Sequence, residues 1–332
     1  MANRFSMTGL VYLGAILALA QTGPAPSIRI HFASLEEGQE ILSTRDGFIR
    51  RLSPFDRAAR LKTDREVSES EFLNFVAGKV IRWDNADRER VEQAFDRIRP
   101  ALGEFPVSWP ESVYFVHTTG EEEGGAAYTR GKAVILPRTR LDQSPEKLAR
   151  LVAHELFHVL SRHDRDIRDR LYRVIGFERC PEVELPKPLA RRRITNPDAP
   201  VNAHRIRVRH GGRPFWAVPV LYSRTDRYDP LQGGSFFKYL QFRLLLEAVG
   251  DEAATASAPA DSGPRLVEVE EVSGFFEQIG RNSSYIIHPE EILAVNFALI
   301  VTGETELPSP RVAERIRSVL RAEGAPTGPD RR

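Results

Sequence analysis

Cysteine is almost absent: Cys180 is the only one in 332 residues. No internal disulfide is possible, and a metal site built from several thiolates is excluded. Any metal has to be held by histidine and carboxylate. An excess of one charge is also missing, because 47 basic residues meet 46 acidic ones for a formal net charge of +1. Nothing global therefore calls for nucleic acid or an anionic membrane as a partner, and Arg191, Arg192 and Arg193 read as solvated surface. Long apolar runs are lacking too. The candidate at 9–20 is shorter than the roughly 20 residues a bilayer requires. With Arg4 ahead of it and Ala18-Leu19-Ala20 as a small-x-small site at its end, residues 1–20 read as a secretory signal peptide cut before Gln21. The expectation is an exported protein, periplasmic or extracellular, with no stable membrane span after cleavage.

The remaining length allows one large or two modest domains and a substantial core. Residues 21–30 are Pro-rich and read as loose. Apolar residues then recur at three and four residue intervals in 34–42, 54–61, 70–81 and 86–102, which predicts an N-terminal helical region over 21–106. Strand preference follows at Ser112–Thr118, 126–130 and 133–136. The acids Glu121–Glu123 fall in the Gly-rich connection and read as a solvated loop, with calcium binding as the rival reading. Tyr128 and Thr129 either border a cleft or fill the sheet. Beyond a charged helix at 165–175, residues 176–214 are rich in Pro and Arg without a clear period and read as the start of a long insertion. Residues 215–222 read as a strand, 236–249 as strand or helix, and 251–264 as a linker.

The informative stretch is His154-Glu155-Leu156-Phe157-His158, an H-E-x-x-H pattern. On a helix, imidazoles four residues apart share one face and can grip one zinc ion, with the glutamate beside it free to act as base. The helix is expected independently: Ser144 can cap it, Pro145 suits its first turn, and no Gly or Pro interrupts 146–161. Leu148, Leu151, Val152, Leu156, Phe157, Val159 and Leu160 make it apolar on most sides and hence buried. Buried imidazoles and a buried carboxylate need partners, and a metal supplies one. The rival reading is a helix with incidental histidines.

A catalytic zinc usually takes three protein ligands and leaves a position for water. Pro289, after Tyr285-Ile286-Ile287-His288, opens an apolar helix with Glu290 and Glu291 in its first turn. Carboxylates there are favoured by the helix dipole in any case, and they are also candidates for the third ligand. Asp164, shortly after the motif, is another.

These residues resemble the zincin metallopeptidases, specifically the gluzincin group, in which H-E-x-x-H is joined by a glutamate on a later helix. Glu291-Ile292-Leu293-Ala294-Val295-Asn296-Phe297 is similar to the lethal-factor-type second motif E-x-x-A-E-x-F, with Glu291 at the ligand position. Val295 stands where that motif has a carboxylate, and the separation 291 − 158 = 133 exceeds that of compact members. The metzincin pattern fits less well: Ser161 replaces its Gly, Asp164 its last His, and the only methionines, Met1 and Met7, cannot form a Met-turn.

The resemblance implies an α+β, zincin-like fold with a small sheet packed on the motif helix and a mostly helical C-terminal part. The catalytic domain would span 107–322, with an insertion at about 176–264 and a disordered tail at 323–332. It implies Zn2+ on His154, His158 and Glu291, Glu155 as general base, Tyr285 as oxyanion donor, and a peptide or protein substrate paired with the strands at 126–136. Two alternatives stand beside it: an exported zincin-fold binding or scaffold protein without turnover, and a zinc-dependent amide hydrolase acting on a non-peptide. Glu155, which a purely structural zinc site does not need, favours an enzyme.

Overall fold

The structure is a computed structural model that describes residues 28–249 and 265–322. The expected signal peptide, the linker at 251–264 and the tail at 323–332 lie outside the described residues. The chain is mixed α+β, with two small sheets and eleven α-helices among the described residues.

The first strand, β1 (Arg29–Phe32), is followed by α1 (Leu35–Ser43), a 3-10 turn at Ile49–Arg51, α2 (Pro54–Arg60), α3 (Glu69–Ala77) and α4 (Asn85–Leu102). Serine caps on α1, α2 and α3 and Asp84 on α4 accept the free amide hydrogens of each first turn, which explains where these helices start. The helical region is as expected, but its beginning is not loose: β1 pairs in parallel with β2 (Ser112–Thr118). β3 (Tyr128–Arg130) and β4 (Ala133–Pro137) complete a sheet of order β1-β2-β4-β3.

Because side chains alternate across a strand, the two faces of this sheet enter different cores. Val113, Phe115, Val134 and Leu136 face the main core, while Val116, Ala133 and Ile135 face a second core with α1 and α3. After α5 (Arg138–Leu141), the motif helix α6 (Pro145–His163) lies in the main core against α4 and the sheet. Asp164 caps the next helix, α7 (Arg165–Val174).

The stretch from Gly176 contains a second sheet rather than irregular chain. β5 (Phe177–Arg179), a short α8 (Lys187–Ala190), β6 (His204–His210), β7 (Arg213–Ser223), β8 (Leu240–Ala248), β9 (Arg265–Val267) and β10 (Val272–Ser273) build it, in the order β10-β6-β7-β8-β9 with β5 also on β6. The ambiguous segment 236–249 is thus a 3-10 turn followed by a strand, paired along its length with β7. Its alternation again splits: Ala217, Leu244 and Leu246 join the main core, Val218, Val220 and Leu245 a small cluster under Leu189.

α9 (Phe275–Ile279), α10 (Pro289–Val301) and α11 (Pro310–Arg321) close the chain, and α10 packs on α6. A helix apolar all round belongs in an interior, and α10 is buried along nearly its whole length. No helix among the described residues is long and apolar enough to cross a membrane.

A third expectation is overturned in the connection between β2 and β3. The acids Glu121–Glu123 do not form a solvated loop: Glu122 and Glu123 are buried, Glu122 accepts from Thr118 at 2.6 Å, and Glu123 pairs with both ends of the Arg60 guanidinium at 2.8 and 2.5 Å. Only Glu121, paired with Lys79, faces solvent. A buried carboxylate persists where a cation meets it, and that cation lies 63 positions away in sequence.

Candidate metal centre

Helix α6 begins where Ser144 accepts from the Lys147 amide and Pro145 occupies its first turn. Its pitch brings His154 and His158 to one face. On the facing helix, His288 caps α10 by accepting the Glu290 amide hydrogen at Nδ1 (3.1 Å), and Pro289 fixes the entry. Glu290 and Glu291 therefore sit in the first turn, beside the positive end of the helix dipole.

The two helices meet at Glu291. Its Oε2 lies 3.2 Å from His154 Nε2 and 3.6 Å from His158 Nε2, and its Oε1 accepts from Asn196 Nδ2 at 2.6 Å. The amide thus turns the second carboxylate oxygen toward both imidazoles. His154, His158 and Glu291 form one group of convergent ligand atoms; Glu155, His158 and Asp198 form another, sharing His158.

His158 is oriented from behind. Its Nδ1–H donates to Glu290 Oε1 at 3.0 Å, and the Glu290 carboxylate also accepts from Ser161 Oγ and from the Tyr172 hydroxyl (2.5 Å). A carboxylate in that position fixes the tautomer and leaves Nε2 as the free lone pair. Val295 therefore has a substitute: the carboxylate that braces the His158 imidazole comes from the residue before Glu291, not from the one four positions after it.

The electrostatics follow from burial and crowding. Burial alone would push the Glu291 carboxyl up, but His158, His154 and Asn196 hold it down at about 2. Burial would push the His158 imidazole down, yet Asp198, Glu291 and Glu290 raise it to about 10. Burial, then the Asp198 carboxylate, pushes Glu155 well above the usual carboxylate range. Four carboxylates, Glu155, Glu290, Glu291 and Asp198, thus crowd two imidazoles, an arrangement that a divalent cation would offset.

Two further observations test whether a metal fits. Among the described residues, His158 Nε2 and Glu155 Oε2 are buried without a hydrogen-bond partner, and such orphans are costly unless something else meets them. Tetrahedral ligands at ~2.0–2.1 Å from zinc stand roughly 3.3 Å apart, and the two nitrogen–oxygen separations above bracket that spacing. Two imidazoles and a carboxylate also suit zinc. The first group fits better than the second, because it offers two imidazoles and one carboxylate where the second offers one imidazole and two carboxylates.

Of the other candidates, Asp164 accepts the amide hydrogens of Asp166 and Ile167 and is a helix cap, not part of the cluster. Glu290 and His288 are likewise taken up in bracing and capping. Tyr285, 41% exposed, stands at the mouth, where burial and the charges of Glu291, Asp198 and Glu155 push its phenol up. It lines a cavity of about 40 Å³ with Asn196, Asp198 and Tyr128.

Asn196, Asp198 and Tyr172 were not singled out by the sequence, and Ser161 entered only as the residue in place of the metzincin Gly. Tyr172 lies on the next helix, α7, at a spacing with no motif attached; Asn196-Pro197-Asp198 sits in an irregular Pro-rich stretch. The edge strand β3 is also not open as expected. Tyr128, Thr129 and Arg130 are buried, and the outward amide of Thr129 is held by Asp198. No family model, no curated protein and no solved structure matches this chain.

Proposed function

We propose that the chain is an exported, zinc-dependent metallopeptidase with a zincin-like fold, its metal held by His154, His158 and Glu291. The observation that carries this reading is the convergence of two imidazole Nε2 atoms on Glu291 Oε2, with the unpartnered carboxylate of Glu155 beside them. Zinc, when bound in such a site, polarises the substrate carbonyl and acidifies water. Glu155 takes the proton from the attacking water and passes it to the leaving amine; a carboxyl with a raised proton affinity is matched to that exchange. Glu290 and Asn196 hold His158 and Glu291 in place, and Tyr285 donates toward the developing oxyanion.

Metal analysis of the purified protein and cleavage of a mixed peptide library test the proposal. The expected result is about one zinc per chain, with turnover lost and zinc kept in Glu155→Gln. A protein that neither carries nor takes up zinc overturns the reading, and so does full turnover by Glu155→Gln. The bond of Asp198 to Thr129 on β3 favours a second reading, a zincin-fold binding protein without turnover; zinc without hydrolysis of any peptide would select it.

A further inference from the structure

Next to the metal-ligand cluster is a cavity of about 490 Å³, within the usual range of small-ligand sites at ~300–1,000 Å³. It runs from the end of β3 at Thr129–Gly131, past Asp198, to Ser161 and Glu290, the residues that lie behind His158. Arginines dominate its wall. Arg51, Arg130 and Arg168 have carboxylate partners: Glu182 at 2.7 Å, Asp46 at 2.6 Å and Asp169 at 2.8 Å.

Four others do not. Arg162 donates only to neutral oxygens, Thr129 Oγ1 (2.9 Å) and the carbonyls of Gly131 (2.8 Å) and Asp198 (3.3 Å). Arg50 donates to the Arg45 carbonyl at 3.1 Å. The side chains of Arg165 and Arg179 have no hydrogen bond or ion pair among the described residues. Of the cavity's own acids, Asp46 is bound to Arg130 and Glu290 to His158, Ser161 and Tyr172, while Asp198 faces the charge of Arg162 and offsets it, which leaves Arg50, Arg165 and Arg179 without an acid. Isolated surface arginines are ordinary. In a chain whose charges balance 47 to 46, three unmatched ones around one concave site beside a metal cluster are a local excess.

We propose that this cavity receives a carboxylate of the substrate, so that the enzyme acts on peptides bearing an acidic group near the scissile bond. Guanidinium forks match carboxylates in geometry and charge. The lining acids Asp198 and Glu290 disfavour a doubly charged phosphate over a single negative charge. The carboxylate comes either from an acidic side chain or from the free C-terminus. The proposal rests on the metallopeptidase reading for the identity of the site, and it is tested in a way that separates the two.

The probes are fluorescein-labelled alanine hexapeptides carrying one glutamate or, in its place, glutamine, each as free acid and as C-terminal amide. Zinc-loaded protein is expected to cleave the carboxylate-bearing member of a pair with kcat/KM about 10-fold higher or more. Arg165→Gln and Arg179→Gln, both at exposed positions, should each cut that ratio several-fold while leaving cleavage of the neutral peptide unchanged. Which pair shows the preference, glutamate against glutamine or acid against amide, identifies the source of the carboxylate. Fluorescence anisotropy with Glu155→Gln protein reads binding alone. Cleavage without a carboxylate preference overturns this proposal and leaves the peptidase reading intact. A binding preference with no cleavage by the wild type does the reverse, and absence of both overturns both.

Discussion

Glu290→Gln probes the centre at a residue that braces His158 from behind and is not one of the three convergent ligand groups. The wild-type carboxylate, 2% exposed, receives three donors on two oxygens: His158 Nδ1, Ser161 Oγ and the Tyr172 hydroxyl. An amide of nearly the same shape keeps one acceptor oxygen and turns the other into a donor. The hydroxyls of Ser161 and Tyr172 can rotate to accept from the new NH2 group, but the imidazole cannot both donate from Nδ1 and keep a charged partner. Loss of such a brace costs roughly 10- to 100-fold in metal affinity, or about 1.4–2.7 kcal/mol. Disturbing the buried hydrogen bonds costs a further ~1–3 kcal/mol of fold stability. Competition with graded chelators measures the first quantity, and urea unfolding of the metal-free protein the second. Ser161→Ala is the control, since it removes one donor without touching the imidazole and should leave zinc binding near the wild-type level. Zinc affinity within about twofold of wild type in folded Glu290→Gln would refute the claim that Glu290 orients a ligating His158.

Val295→Asp is expected to bring no gain in zinc affinity, because Glu290 already braces His158; a clear gain in the same chelator competition would show the brace to be incomplete. Glu291→Ala should abolish tight zinc binding, whereas Asp164→Ala should leave it unchanged and cost ~1 kcal/mol as a lost helix cap; the opposite ranking in zinc titrations moves the third ligand to Asp164. Acid should destabilise the fold through His204, whose imidazole burial and the neighbouring Arg168 push down to about 4. With an unfolded value near ~6.5, the unfolded chain binds the extra proton, so His204 contributes fully above that pH and its contribution is lost as pH falls toward the folded value. The size is on the order of 3 kcal/mol, and unfolding curves at several pH values should be flatter in His204→Asn than in wild type.

How much of this was legible in the sequence depended on whether the cause was local. The start of α6 at Ser144-Pro145, the H-E-x-x-H face, and the entry of α10 at Pro289 with Glu291 in its first turn all follow from residues within a few positions of one another, and the described helices agree. Where the cause is distant, the reading failed. Three consecutive acids look solvated unless Arg60 is known to be opposite Glu123. Arg29 and Ile30, at the end of the stretch 21–30, look like loose chain unless β2 lies alongside. The run at 236–249 has no decisive period, because its strand is buried on both faces in part and is defined by its pairing with β7. Asn196 and Asp198 carry no motif and gain meaning only from Glu291 and Thr129, 95 and 69 positions away.

The placement of that last pair explains why the N-terminal helices matter to the centre. Asp56 of α2 is fully buried and accepts from the Thr195 amide (3.0 Å) and hydroxyl (2.8 Å), from the Ser53 amide (3.0 Å) and from Arg60 (2.7 Å), which in turn grips Glu123. A buried ion network of this kind adds little net stability, since desolvation offsets the Coulombic gain, but removing one member leaves an unpaired charge and costs ~3–5 kcal/mol. The network therefore pins Thr195, and with it the start of the segment that carries Asn196 to Glu291 and Asp198 to β3. An extended substrate that pairs with β3 has to take the Thr129 amide from Asp198, a buried bond to a charged acceptor whose loss costs ~1.5–3 kcal/mol. The Asp198 amide in turn donates to Asn196 Oδ1 at 3.0 Å. Asn196 therefore links the two bonds, donating through Nδ2 to Glu291 and accepting through Oδ1 from Asp198, so freeing the edge of β3 bears directly on the carboxylate that faces both imidazoles.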